Sequence, residues 1–173
     1  MEIERKFLAD PGELDLSSYR KKEMSQGYIS TDPVIRIRRS NEDYILTVKS
    51  GGLLEREEFE TRLTGEQYEQ LSGKVEGLMI SKTRYLIPLS GEENTGLTAE
   101  LDLFHGALEG LVYVEVEFPS VEAAKRFTPP PWFRREVTED GSYTNAALSR
   151  MNSEELRGFL SKIRSQDMKG ELS

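Results

Sequence analysis

The feature that most constrains this chain is a period of two that keeps returning. In the opening stretch MEIERKF, Glu2, Glu4 and Lys6 fall on one phase, with Ile3 and Phe7 on the other. PVIRIRRS sets Arg36 and Arg38 against Ile35 and Ile37, and DYILTVKS sets Thr47 and Lys49 against Leu46 and Val48. EREEFETRL aligns Arg56, Glu58 and Glu60, and ISKTRYLIP aligns Lys82 and Arg84 opposite Thr83, Tyr85 and Ile87. LTAELDLF aligns Glu100 and Asp102, and LVYVEVEF aligns Glu115 and Glu117, each against an apolar phase. Strict alternation is the mark of a strand with two unlike faces. Adding a short strand at SQGYIS (25–30) gives about eight strands, enough to close into a barrel. The spacing of the turns suits antiparallel pairing: SNED (40–43) and SGGL (50–53) each read as a hairpin turn.

Helical signals are few. Thr64 caps GEQYEQLSGKV with Gln67 three residues on, and Ser120 caps VEAAKRF. The Pro-rich PPPW (129–132) stops that segment, and Ser153 opens an amphipathic stretch with Leu156, Phe159, Leu160 and Ile163 on one stripe. With 173 residues the chain reads as one domain spanning 1–150, with 151–173 as a C-terminal helix and tail belonging to it. The expected class is α+β, mainly β: a closed eight-stranded antiparallel barrel with short helices packed outside.

Composition narrows the function. A net charge of −8 argues against a nucleic-acid partner, and the absence of cysteine excludes disulfides and thiolate metal sites. The charged opening leaves no room for a secretory leader, and no apolar run is long enough for a membrane helix, so the expectation is a cytoplasmic protein without a membrane partner. The lone histidine, His105, reads as a loop residue, and Trp132 as part of the outer packing.

The charged phase itself admits two readings. One is a solvated sheet face on which opposite charges pair across strands. The other turns the sheet so that this phase faces inward and the apolar phase is covered from outside. Buried charges then need partners or a ligand. Arginine and lysine suit phosphate oxygens, and clustered carboxylates suit a hard cation such as Mg²⁺ or Mn²⁺. Alternation alone does not choose between the two.

The motifs choose. EIERKF is similar to the ExExK signature of the CYTH domain, or triphosphate tunnel metalloenzyme, superfamily. QGY, RIR, TVKS, REEFE, SKTRY, AELDLF, VEVEF, PPPWF and EVTEDGSYTN follow in the order expected of its short bacterial members. The resemblance covers residues 2 to about 150 and implies a tunnel with its charges pointing inward. It implies that Glu2, Glu4, Glu115 and Glu117 hold Mg²⁺ or Mn²⁺. Lys6, Arg36, Arg38, Lys49, Arg56, Lys82 and Arg84 are then expected to bind the phosphates. Glu58, Glu60, Glu100 and Asp102 become acidic tunnel positions of variable role, and the tail after EVT leads to a helix that plugs one mouth.

The activity so implied is metal-dependent hydrolysis of a triphosphate, foremost inorganic tripolyphosphate, with nucleoside triphosphates as weaker substrates. Adenylate cyclisation, thiamine triphosphate hydrolysis and non-catalytic polyphosphate binding are the rivals. A homodimer is left open, as are the roles of Arg134 and Arg135. With no inward histidine, Lys82 is a candidate general base with Tyr28 as its hydrogen-bonding partner; the alternative is that Lys82 stays protonated and only holds phosphate.

Overall fold

A computed structural model describes residues 3–12, 14–50 and 57–167. Among these residues nine antiparallel strands make a single sheet. They are β1 (Glu4–Ala9), β2 (Arg20–Thr31), β3 (Val34–Ser40), β4 (Asp43–Lys49), β5 (Glu58–Leu63), β6 (Glu76–Pro88), β7 (Thr98–Phe104), β8 (Val112–Glu117) and β9 (Phe133–Glu136). Their order across the sheet is β5-β4-β3-β2-β6-β7-β8-β1-β9. Two expectations change here. β9 is an added strand, pairing with β1 through a register shift between Phe7 and Ala9. The sheet is also not closed into a barrel: among the described residues the edge strands β5 and β9 share no ladder. The hairpin at Ser40 and Asp43 forms as expected, with Asn41 at positive φ. The expected turn at 50–53 lies mostly outside the described residues.

The phases of the strands separate two cores. Phe7, Ala9, Ile87, Ala99, Leu101, Val114, Val116 and Phe118 form the core on one face of the sheet, under Ala124, Phe127 and Phe133. Helix α2 (Val121–Arg126), capped by Ser120, lies over this face and the Pro-rich segment follows it. Each fully buried Phe or Leu there stabilises the fold by about 1.5–3 kcal/mol. Helix α1 (Gly65–Ser72) carries the expected Thr64–Gln67 capping box and seats Tyr68 against Tyr44.

The second core lies on the opposite face and occupies only one end of it. Leu8, Ile80, Phe104 and Tyr113 project there and meet Tyr143, Leu148, Leu156 and Ile163. Leu148 belongs to α3 (Asn145–Ser149) and Leu156 to α4 (Ser153–Lys162). The short helices are therefore not all outside: α3 and α4 cap one end of the inner face. The cap of α4 is Asn152 rather than Ser153, because Glu155 stands three residues after Asn152 and completes a capping box. No helix among the described residues is long and apolar enough to cross a membrane.

Candidate active site: a cavity of paired charges

Side chains two apart on a strand share a face, so the inner face can be followed strand by strand. On β1, Glu4 and Lys6 precede Leu8. On β8, Glu117 and Glu115 precede Tyr113 in the opposite direction, and the register sets Glu4 beside Glu117 and Lys6 beside Glu115. On β7, Glu100 and Asp102 lead to Phe104, and on β6, Arg84 and Lys82 lead to Ile80. Each of these four strands thus gives its charged residues to one band and an apolar residue to the end covered by α3 and α4. The second reading of the charged phase is the one the packing realises on these strands.

The charged band lines a cavity of about 460 Å³. Glu4, Lys6, Glu115 and Glu117 line one side of it, and Lys82, Arg84 and Glu100 line another. Tyr28 and Arg38 reach it from β2 and β3, together with Met24. Thr144, Asn145 and Ala146, at the start of α3, also line it. Of the lining residues, Met24 was not among those the sequence singled out, whereas Thr144 and Asn145 end the EVTEDGSYTN stretch. Met24 lies on the same alternating phase as Tyr28, and extending that phase backwards would have found it.

Asp102 is the centre of the electrostatics. It is fully buried. Its Oδ2 accepts from Lys82 Nζ at 2.8 Å and from Arg84 Nη2 at 3.0 Å, and its Oδ1 accepts from Arg84 Nε at 2.8 Å. Burial alone would raise this carboxyl, but the Arg84 hydrogen bonds and the charges of Lys82 and Arg84 outweigh it and hold it below the usual carboxylate range. Lys82 moves the other way from a simple ion-paired lysine. Its burial lowers it, Arg84 adds to the lowering, and Asp102 offsets only part because its one charge is shared between two cations. Arg84 also pairs with Glu100 at 2.6 Å. Lys6 reaches Glu115 at 4.0 Å, donates to the Tyr143 carbonyl at 3.4 Å and sits over the Tyr113 ring. Arg38 is lowered by burial and by the like charges of Arg36 and Arg84.

The remaining expected residues fall into two groups. Arg36 projects beside Arg38, across from Thr47 of β4, and its Nε is buried without a hydrogen-bond partner. Lys49, Glu58 and Glu60 share the β4–β5 ladder, where Lys49 faces Glu58 and Thr47 donates to Glu60 at 3.4 Å. They do not line the cavity. Glu2 and Arg56 lie outside the described residues. Of the two open arginines, Arg134 approaches Asp10 at 3.8 Å and Arg135 donates to the Tyr143 hydroxyl at 3.0 Å, so both brace β9 from the side.

Among the described residues no three carboxylate or imidazole groups converge tightly enough to hold a cation by themselves. The donor set nevertheless suits one. Glu4 stands directly opposite Glu117, and Glu100 opposite Glu115, and like charges so placed repel. Glu117 makes no ion pair among the described residues. An all-oxygen set of this kind favours a hard divalent cation.

The sheet and its charged inner face define the chain as a member of the CYTH domain family, whose model matches residues 1–136. Over 154 residues it is 45% identical to the inorganic triphosphatase of Nitrosomonas europaea, covering 86% of this chain and 96% of that one. It is 37% identical over 151 residues to the inorganic triphosphatase of Acetivibrio thermocellus, covering 85% and 92%. A crystal structure of an inorganic triphosphatase superimposes with a TM-score of 0.73 at 39% identity, covering 88% of this chain and 96% of the other.

Proposed function

We propose that this protein hydrolyses inorganic tripolyphosphate in a reaction that requires a divalent cation, Mg²⁺ or Mn²⁺. The observation that carries the reading is the meeting of both charge signs in one cavity: Lys6, Arg38, Lys82 and Arg84 with Glu4, Glu115 and Glu117. The two relatives named as inorganic triphosphatases support it. A phosphate chain is satisfied by such walls without any surface for a base, and Tyr28 is the one aromatic side chain in the described lining. That favours the inorganic substrate over a nucleoside or thiamine ester. The closed barrel of the family is proposed as the form in which β5 and its neighbours complete the tunnel around substrate.

Glu4, Glu115 and Glu117, with Glu2 beyond the described residues, are the groups that would hold the cation. Bound there, it would neutralise charge on the phosphate chain. Arg38 and Arg84 offer forked donors to phosphoryl oxygens, and Lys6 a point charge. Asp102 holds Lys82 and Arg84 at a fixed spacing, so their cost of ordering is met before substrate enters. Water attacks a terminal phosphorus in line, the bridging P–O bond breaks, and phosphate and pyrophosphate leave. The proton released by water needs an acceptor. Lys82 is proposed for that role, with Tyr28 on the same cavity wall. A neutral Lys82 amine still donates to Asp102 and turns its lone pair to the cavity.

The test is a substrate panel with Mg²⁺ or Mn²⁺, resolved for phosphate, pyrophosphate and cyclic nucleotide. Tripolyphosphate should give phosphate and pyrophosphate in equal amounts and exceed ATP in kcat/KM. Cyclic AMP as the main product from ATP would instead establish a cyclase, and tight binding with no turnover a binding module. Glu117→Gln should raise the metal concentration needed for half-maximal rate.

A further inference from the structure

The strand pair β2–β3 carries a buried residue that the mechanism above does not use. Gln26 lies between Met24 and Tyr28 on the phase that lines the cavity, directly across from Arg38. It is only 2% exposed. Arg38 Nε donates to its Oε1 at 3.0 Å. A guanidinium has donors only, so the carbonyl must face Arg38 and the orientation of the carboxamide is fixed. The NH₂ group is thereby turned away, buried and without a partner. On the neighbouring strand Arg36 Nε is in the same condition. Buried polar groups are nearly always paired. Here two on neighbouring strands are unpaired and both are donors, so what is missing is an acceptor.

We propose that Gln26 binds substrate: its NH₂ donates to an oxygen of the phosphate chain while its carbonyl sets the plane of Arg38. This rests on the triphosphate reading. The choice of a neutral donor has a physical reason. Burial and the charge of Arg36 already weigh against the charge on Arg38, and a further cation would deepen that conflict. An amide adds a hydrogen bond without adding charge.

The experiment separates anchoring from contact. Binding of a triphosphate analogue bridged by nitrogen, with Mg²⁺, is measured by calorimetry on the wild type, Gln26→Glu and Gln26→Met. Gln26→Glu keeps an acceptor for Arg38 but replaces the NH₂ by a carboxylate oxygen that repels phosphate. Both variants should bind roughly ten- to a hundredfold more weakly. If Gln26→Glu binds as well as the wild type, whether or not Gln26→Met does, Gln26 does not contact substrate and the proposal falls. If the wild type itself does not bind the analogue, the triphosphate reading falls instead. A wild-type measurement covers the case in which a variant does not fold. The chain has four glutamines, so ¹⁵N-glutamine labelling gives four side-chain amide pairs. That of Gln26 should shift and exchange more slowly on saturation with the analogue; an unmoved Gln26 pair overturns the proposal.

Discussion

Replacing Asp102 by Asn tests whether one carboxylate organises the cavity. The substitution keeps shape and removes one charge from between two cations. Asn can still accept through its carbonyl, but its NH₂ then faces either Lys82 or Arg84, donor against donor. Removing one partner from a buried ion pair costs about 3–5 kcal/mol, because the other charge is left uncompensated. Lys82 has almost no access to water, whereas the Arg84 side chain is 20% exposed and keeps Glu100 at 2.6 Å. The loss therefore belongs at the lower end, about 3 kcal/mol. For a chain of this length that lowers the midpoint of thermal unfolding by about 6–12 °C. The assay is thermal unfolding followed by circular dichroism at neutral pH, with and without the triphosphate analogue. Bound phosphate supplies the negative charge that the variant lacks, so the analogue should raise the midpoint more in Asp102→Asn than in the wild type. A loss under about 2 °C, or an equal rise in both proteins, would show that Asp102 does not clamp the two cations.

The same clamp fixes how stability depends on pH. Asp102 sits below its unfolded value of about 3.9, so its contribution is complete above that pH and is lost as pH falls through the folded value. Lys82 is lowered, so between its folded value and about 10.4 the unfolded chain binds the extra proton. Stability from this group therefore rises with pH across that window. In Asp102→Asn the lowering of Lys82 deepens, and the rise should begin at a lower pH. Denaturant unfolding at a series of pH values reads both effects.

Lys82→Arg keeps the cation and its pairing with Asp102 but cannot release a proton in the working range. If Lys82 takes the proton from water, the variant should retain affinity for the analogue while kcat falls by about 10²–10⁴ and the pH–rate profile loses the limb that Lys82 sets. Near-wild-type turnover would leave Lys82 with the phosphate role alone. Gly77 has φ +76°, and a Cβ there would meet the Ser149 carbonyl oxygen at the end of α3. Gly77→Ala should therefore cost about 1–3 kcal/mol and raise KM, since α3 and its N-cap Thr144 bring Thr144, Asn145 and Ala146 to the cavity; an unchanged unfolding midpoint would refute that seating of α3. Leu156→Ala, which removes a buried contact between α4 and the inner face, should cost about 2–5 kcal/mol by denaturant unfolding.

How far the sequence could be read depended on what lies next to what. Alternation marks strands because it is a property of one segment, so β1, β3, β4, β7 and β8 were legible from their own residues. β9 was not: its residues FRRE carry no alternation, and the strand exists because Phe133 anchors in the outer core while the backbone pairs with β1. The roles of Asp102 and Gln26 were hidden for a related reason. Asp102 was visible as one acid among several, but its distinction is that Arg84 stands across from it and Lys82 is within reach, which is a matter of register. Gln26 sat inside the quoted QGY motif with no sign that its carbonyl would meet Arg38.

One further signal was present along the strands rather than across them. On the inward phase, Glu4 and Lys6 give way to Leu8, Arg84 and Lys82 to Ile80, Asp102 to Phe104, and Glu115 to Tyr113. Because antiparallel neighbours run in opposite directions, β1 and β7 make this change toward their C-terminal ends, and β6 and β8 toward their N-terminal ends. All four changes therefore fall at the same end of the sheet. A solvated charged face has no reason to turn apolar at one shared end. A cavity capped by helices does, since the capped end must exclude water for Leu148 and Leu156 to be buried there. Phase tells which side chains share a face; the change of character within a phase tells which end of that face is covered, and so where a ligand can enter.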